Sequence, residues 1–521
     1  MTEDRAHKLL FWGCFIALVA TSFGFITRMF LMEEFKVLFN LDDTQVGRLR
    51  GAGLWPFGVS IVLISLLIDK VGYKNAMWFS MICYGGYALM AWLAHMQVSA
   101  EGLEGQALED ARHGGYLKLF WGSILLGLAN GTVEAYINPV VATIFSREKT
   151  KWLNILHAGW PAGLVIAGVL VIGMGDMPWI TKILLILIPA VIALFMLATA
   201  KFPVSERVAS GTSYREMLSE LGIIGAFVAF ALISFELGNT FGWSPAVRWI
   251  VAGVAVVAYA AYARHLGRIF MLFLIVIMIP LAITELGVDS WIGDLMNPAM
   301  KEIGLAGGWV LVYTSAIMMV LRFFAGPLVH RLSPLGLLAI CAFLAAVGLV
   351  ALSSATGALL ILGAATLYGI GKTFFWPTML GLVSEQCPKG GALTLNALGG
   401  IGMLSVGIIG APLIGMFQNK DQVKMLEEDA PALVEKVTVE DEWMGVPYTG
   451  VSPDKVKALD DASAAKVKDI EQASKQHALR TVALFPTFML VCYIILIFYF
   501  RSKGGYKPVH LEQEGEEPAP A

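Results

Sequence analysis

The sequence is poor in charge. Of its 521 residues only 15% are Asp, Glu, Lys or Arg, against about 25% in soluble domains. Hydrophobic residues make up 57% of the chain, and the mean hydropathy is +0.70. That deficit, with its many long apolar runs, excludes an ordinary soluble fold and implies a polytopic membrane protein. The net charge of −3 gives no basic footprint for a nucleic-acid partner. Cysteine is scarce: Cys14, Cys83, Cys341, Cys387 and Cys492 show no metal-ligand spacing and read as small buried hydrophobes. An H-E-x-x-H cluster and a G-x-S-x-G elbow are missing too, which argues against a membrane-embedded hydrolase. GIGKT at 369–373 is not a phosphate loop, because Thr366 stands where the first glycine is needed and the context is an apolar helix.

What is present is a succession of runs near the roughly 20 residues a span requires. Six fall near 9–30, 46–68, 75–96, 116–140, 153–174 and 180–200. Two follow near 221–239 and 246–264, and six more near 268–293, 307–329, 335–353, 357–383, 392–416 and 479–500. The expected fold is all-α: two six-helix bundles with an extra two-helix hairpin between them, about 14 spans in all. Lys70, Lys74, Arg147, Lys149, Lys151, Lys201, Arg207, Arg215, Arg264, Arg268, Arg331, Lys389 and Arg501 fall on one side when the spans are counted through. Positive loops stay inside, so that side is expected to be cytoplasmic, with both termini there, in a plasma or bacterial inner membrane.

The expected organisation is an N-terminal bundle over 1–200, a cytoplasmic linker and hairpin over 201–267, and the first five helices of the second bundle over 268–417. An extracytoplasmic insertion follows over 418–478, then the last span over 479–500 and a disordered cytoplasmic tail over 501–521. The insertion is expected to contain a helix behind Ser452-Pro453-Asp454, with its mixed charges on a solvated face. The hairpin is expected to be a spacer between the halves.

Chemistry concentrates in residues 121–163. Asn130, Glu134 and Asn138 recur at steps of four in an apolar run and so share one helix face. Asn154, His157 and Trp160 open the next run, beyond the basic patch. A carboxylate inside an apolar span is costly and marks a functional site by default. Asparagines there either hydrogen-bond a hydroxylated solute or join helices. His157 is a proton relay or a structural residue. Trp160, Trp291 and Trp376 offer rings that stack on the apolar faces of a sugar or sit at interfaces.

The two groups of six look like copies. Aligning Asp69-Lys70 with His330-Arg331 gives an offset of 261, which carries Arg28 onto Asp289. Glu134 stands five residues before Pro139, and Lys372 five before Pro377. Each is followed by a Leu-Asn pair, ending in Asn154 and Asn396. Parallel repeats set equivalent helices across a central cavity, so Glu134 is expected to face Lys372, either as a coupling carboxylate or in a fixed ion pair. The intramembrane ionisable set is Arg28, Glu134, Glu285, Asp289, Arg322 and Lys372. Such groups pair or line water. Glycines in GLANGT, AGWPAGLVIAGVL and ALGGIGMLSVGIIGAP suit close helix crossings.

The whole chain resembles a major facilitator superfamily transporter. DKVGYK looks like a degraded form of the loop signature after the second helix, and LRFFAGPLVHRLSP like its second-half version. Within the superfamily the chain resembles the fucose:proton symporter-like sugar permeases, through Glu134 with Asn138-Pro139, the Leu-Asn of LNILHAGWPAG, and Arg322-Phe323 with Gly326. The resemblance covers both six-helix groups, not the hairpin or the insertion.

The resemblance implies alternating access and sugar uptake coupled to protons, with Glu134 binding substrate and carrying the proton. It also implies an acid on the first helix, where this chain reads FITRMFLMEEF with Arg28; Glu285 or Asp289 is expected to supply it. Asp69, Lys70, Arg322 and Arg331 are expected to gate the inward side through ion pairs. A small solute and the lipid bilayer are the expected partners, the protein is expected to be monomeric, and no cofactor is expected beyond a coupling ion, H⁺ or alternatively Na⁺. An organic acid or nucleoside is the alternative substrate, suited to Arg28 and Lys372. A non-transporting sensor is the rival class.

Overall fold

The computed structural model describes residues 3–289, 300, 304, 308–443 and 446–511. Trp291 lies outside the described residues, as does the last part of the expected tail. Among the described residues, thirteen helices are long and apolar enough to cross a membrane. In order they are α1 (Arg5–Leu38), α2 (Gln45–Val71), α3 (Tyr73–Val98), α4 (Gly105–Ile144), α5 (Lys149–Gly173), α6 (Trp179–Ala198), α7 (Tyr214–Phe241) and α8 (Pro245–Ala263). Then come α9 (Ile269–Gly287), the shorter apolar α10 (Gly308–Phe323), α11 (Ala325–Ser354), α12 (Ala358–Gln386), α13 (Pro388–Asp429) and α14 (Asp461–Ser502). The protein is an all-α polytopic membrane protein.

Local chemistry sets the helix ends. Asp42 and Gln45 form a capping box that starts α2, and Ser213 with Glu216 starts α7. Each pair satisfies amides the first helical turn leaves open. Ser244 caps α8, with Pro245 at its first position.

Two reversals repeat at the offset of 261. Gly72, between α2 and α3, has φ 85° and ψ 145°. Ser333, inside α11, has φ 59° and ψ 162°. Both angles lie in a region almost reserved for glycine, costing other residues about 1–3 kcal/mol. Residues 325–332 therefore continue the crossing begun by α10, and 334–354 form the next. The same single-residue turn closes the second and third helices of each half.

Helices approach closely at small residues. A Cβ at Gly163 of α5 would meet the Val19 carbonyl of α1 at 2.7 Å, and one at Gly400 of α13 would meet Ile61 of α2 at 2.8 Å. The second contact joins the two halves. On the side bearing the Arg147–Lys151 loop, here the basic side, the linker docks through Arg207, whose Nη2 lies 2.6 Å from Asp69.

The insertion is more ordered than its sequence implied. Helix α13 runs on to Asp429 and α14 begins at Asp461. Between them β1 (Thr438–Trp443) pairs antiparallel with β2 (Val446–Val451). Leu426, Val437, Val467 and Ile470 make a separate small core. The strands escaped sequence reading because their buried alternation is short and charge-interrupted. Cross-strand polar pairs take its place: the Tyr448 hydroxyl donates to Asp441 at 2.7 Å and Thr449 to Glu440 at 2.9 Å. The Tyr448 hydroxyl holds the Asp441 carboxyl below its usual range.

Candidate functional site

A cleft with about 340 Å³ of atom-free space, open solvent included, lies between the halves, lined by Phe57, Glu134, His157, Trp160, Glu285, Leu286, Arg322, Trp376 and Met403. Those residues come from α2, α4, α5, α9, α10, α12 and α13, so both bundles build it. A π-turn over Ile283–Gly287 presents Glu285 and Leu286 consecutively to the cavity. Such turns shift the register of a helix locally and are frequent at functional sites.

One wall is a polar chain. Asn138 donates through Nδ2 to Glu134 Oε2 at 2.5 Å. Its Oδ1 lies 3.0 Å from His157 Nε2, which then carries the ring proton. His157 Nε2 is 3.9 Å from Glu134 Oε2. Across the seam Asn138 Nδ2 also reaches Asn396 Oδ1 at 3.4 Å, and Asn396 Nδ2 donates to Ser65 Oγ at 2.8 Å and to the Ala135 carbonyl at 3.0 Å. Asn154 Nδ2 meets Thr378 Oγ1 at 3.1 Å, a second polar bridge between halves.

The facing wall is an ion pair. Arg322 Nη2 lies 3.0 Å from Glu285 Oε1, while its Nε donates to the Thr373 carbonyl at 2.7 Å and its Nη1 to the His157 carbonyl at 2.8 Å. Glu285 Oε2 also accepts from the Trp376 backbone amide at 3.2 Å. Arg322 is 1% exposed, so every contact is desolvated. Trp160 and Trp376 add two indoles to the lining, and the Trp160 ring also packs 5.6 Å from Phe25.

Several expectations need correction. Lys372 does not face Glu134: it pairs with Asp289 and lies 5.3 Å from the Tyr368 ring, both in its own half. Equal distance from a proline matched the two positions along their helices but not in direction. Arg28 is outside the cavity lining. The turn at 52–54 removes the Leu49 carbonyl from the helical ladder, and Arg28 Nη2 donates to it at 2.5 Å. Asn130 is likewise a helix fastener, accepting from the Tyr84 hydroxyl at 2.9 Å.

The expected gate also changes. Arg322 lies nine residues, about 13 Å of helix, inside Arg331, and belongs to the cavity. Arg331 is exposed and makes no ion pair among the described residues. Lys70 stands 4.9 Å over the Tyr214 ring, and Asp69 binds Arg207 and Ser205 of the linker rather than the other half. The links that do cross between halves on the basic side are others. Glu385 Oε1 accepts from the Thr150 amide at 3.0 Å and its hydroxyl at 2.5 Å. Lys149 donates to the Ser384 carbonyl at 3.3 Å, and His330 lies 3.1 Å from Glu148. Lys151, 2.8 Å away, is the main cause holding the Glu148 carboxyl below its ordinary range, with His330 adding to it. The run VSEQCP offered a signal for Glu385, a lone acid at a helix end facing the Lys149–Lys151 patch, but nothing in it names Thr150 as the partner.

Two bundles related by an internal repeat, linked by polar contacts on the basic side and sharing a charged cavity, fit a membrane carrier rather than an enzyme. The chain belongs to the Major Facilitator Superfamily, whose family profile matches residues 9–412. Solved structures share its fold at low identity. The E. coli proton:xylose symporter XylE bound to 6-bromo-6-deoxy-D-glucose superposes with TM-score 0.59 at 13% identity, covering 94% of this chain and 95% of that one. The E. coli fucose:proton symporter FucP, in the outward conformation, gives 0.53 at 14% identity, with 92% and 98% covered. An auto-inhibited POT family peptide transporter gives 0.54 at 12% identity, with 98% and 99% covered. No curated protein matches the chain by sequence.

Proposed function

We propose that the protein is a proton-coupled carrier of a small polar solute, a sugar in the first instance, working by alternating access in the plasma membrane with its basic side cytoplasmic. One observation carries this reading. Of the three acids in the central ionisable set, Glu285 is paired with Arg322 and Asp289 with Lys372. Among the described residues Glu134 alone has no lysine or arginine in contact: it touches Asn138 and a histidine, with Arg322 acting on it only from across the cavity. It is the carboxylate free to take and give up a proton.

The network suggests how that proton acts. Ionised Glu134 holds the Asn138 amide through a charge-assisted hydrogen bond. Protonation removes that charge, and the amide is released toward Asn396 and the other half. A proton then shifts the balance of the two access states by its differential affinity for them. The solute side of the reading rests on two indoles beside hydrogen-bonding groups, a combination suited to a sugar ring with one apolar face. The symporters for xylose and fucose that share this fold support the same class.

The organic-acid alternative loses its motive. Arg28 is outside the cavity, Lys372 is neutralised in its own half, and all three described contacts of Arg322 are to protein acceptors. The test is uptake into proteoliposomes under an imposed proton gradient, using labelled xylose, fucose, a monocarboxylate and a nucleoside. Gradient-driven accumulation of a sugar supports the reading. Accumulation of only the carboxylate, or uptake indifferent to the gradient, contradicts it.

A further inference from the structure

The extra hairpin carries an acid of its own. Glu236 lies in the apolar part of α7, five residues before its end at Phe241. It is partly buried, and among the described residues it makes no hydrogen bond and no ion pair. Helix α7 packs against α13 and touches α2, the two helices whose crossing at Gly58 and Gly400 joins the halves. Glu236 lies beside α13 next to that crossing: a Cβ added at Gly407, an exposed position of α13, would lie 3.7 Å from its Oε2.

The seam is chemically unfinished at this level. Gly407 sits within a π-turn, Val406–Gly410, which interrupts the regular backbone ladder of α13. Trp55, one turn before Gly58 on α2, buries an indole N–H that has no acceptor among the described residues. Its ring lies 6.1 Å from that of Phe241 on α7. An unpaired acceptor on the hairpin and an unpaired donor on α2 thus border one crossing.

Among the described residues, no cation of the elements packed against α7 forms an ion pair with the carboxylate. Between Gly391 and Asn419, α13 carries no charged residue. From Trp55 onward α2 carries only Asp69 and Lys70, at its far end. Arg248 of α8 is turned to Asn239 Oδ1 at 2.7 Å and the Trp243 carbonyl at 3.0 Å. Lys389 reaches Glu216 near the opposite end of α7, at 4.0 Å. Glu285, at the end of α9, belongs to Arg322.

We propose that Glu236 is a second proton-binding site, separate from the central cavity, which makes the hairpin a working part of the carrier rather than a spacer. An unpaired charge in an apolar span is costly, and a carboxylate sheds it by binding a proton. When the α2–α13 seam is open to water Glu236 is hydrated. When the seam packs shut it holds a proton instead, so protonation favours the shut seam.

The test needs no transported solute, so its outcome is independent of the sugar reading. The full chain in lipid nanodiscs is treated with a hydrophobic carbodiimide, which modifies protonated carboxyls, and the Glu236 adduct is quantified by mass spectrometry. Labelling is expected to rise about fivefold or more from about pH 8.5 to about pH 5.5 and to level off within that window, whereas an ordinary exposed glutamate, still mostly ionised at its acid end, labels weakly and reaches no plateau. The adduct should persist in Glu134→Gln. An infrared difference spectrum over the same window provides a readout free of reagent access: the protonated-carboxyl C=O stretch should be weaker in Glu236→Gln than in the unmodified chain. Labelling that does not change with pH, or superimposable infrared spectra, overturns the proposal.

Discussion

Glu134 and His157 face each other 3.9 Å apart across the cavity wall, and Asn138 bridges them with one amide. Neither group is in direct contact with a lysine or arginine side chain among the described residues, and Arg322 acts on both only from across the cavity. The opposite wall is built the other way, with Arg322 locked to Glu285. One wall is therefore suited to change its protonation and the other to stay fixed.

The fixed wall is the less tolerant of truncation. Removing Glu285 leaves a guanidinium that is 1% exposed without its anion. Breaking a buried pair in this way costs about 3–5 kcal/mol. Glu285→Ala is expected to show that loss in denaturant unfolding of the purified protein. Arg322→Lys should also be destabilised, because one ammonium cannot reproduce three directed contacts. A double change to Leu and Met should recover much of the single-variant loss.

Asp289 and Lys372 form the second internal pair. Asp289→Asn and Lys372→Met should each lower the unfolding midpoint. The exchanged variant Asp289→Lys with Lys372→Asp should restore part of it, a coupling that a double-mutant cycle reads directly. Independent, additive losses would show that the pair does not act as one.

Thr150 and Glu385 tie the two halves together on the basic side through two hydrogen bonds to one carboxylate oxygen. Thr150→Val removes the hydroxyl but keeps the amide and nearly the same shape. Weakening a charge-assisted bond by about 1.5–3 kcal/mol should raise the reactivity of a cysteine placed at Ser384 toward a membrane-impermeant thiol reagent applied on that side. Unchanged reactivity would mean that other contacts hold the closure.

The Glu148–His330 link predicts a pH effect of definite sign. The Glu148 carboxyl is held below its ordinary value first by Lys151, in its own half, and further by His330, across the seam; only the His330 share contributes to the link between the halves, and it is present above that ordinary value. It fades as pH falls through the lowered one. Glu148→Gln should remove this acid-side loosening of the same cysteine probe, with little effect at neutral pH because the site is partly exposed.

How much of this was legible in the sequence follows from the range of each signal. Span lengths and the reversals near Gly72 and Ser333 are local properties, and the helices fall where the apolar runs end. The 261 offset also held at the level of single backbone angles. Glu134, Asn138, His157 and Asn396 were legible because a polar group in an apolar run stands out whatever surrounds it. Partners were not: Lys372 finds Asp289, and Arg28 finds a backbone carbonyl freed by a turn, through directions around helix axes that spacing does not encode. Phe57, Leu286 and Met403 line the cavity as ordinary apolar residues, with nothing to separate them from core. The β1–β2 hairpin is held by cross-strand polar pairs, which periodicity does not register.

The central claim is that Glu134 carries the coupling proton. Its most direct test is Glu134→Gln in proteoliposomes, comparing gradient-driven accumulation with solute exchange at equal pH on both sides, using labelled xylose and fucose. The predicted result is accumulation reduced to the level of empty vesicles, while exchange stays within about threefold of the unmodified protein. Accumulation that still follows the proton gradient in Glu134→Gln would contradict it.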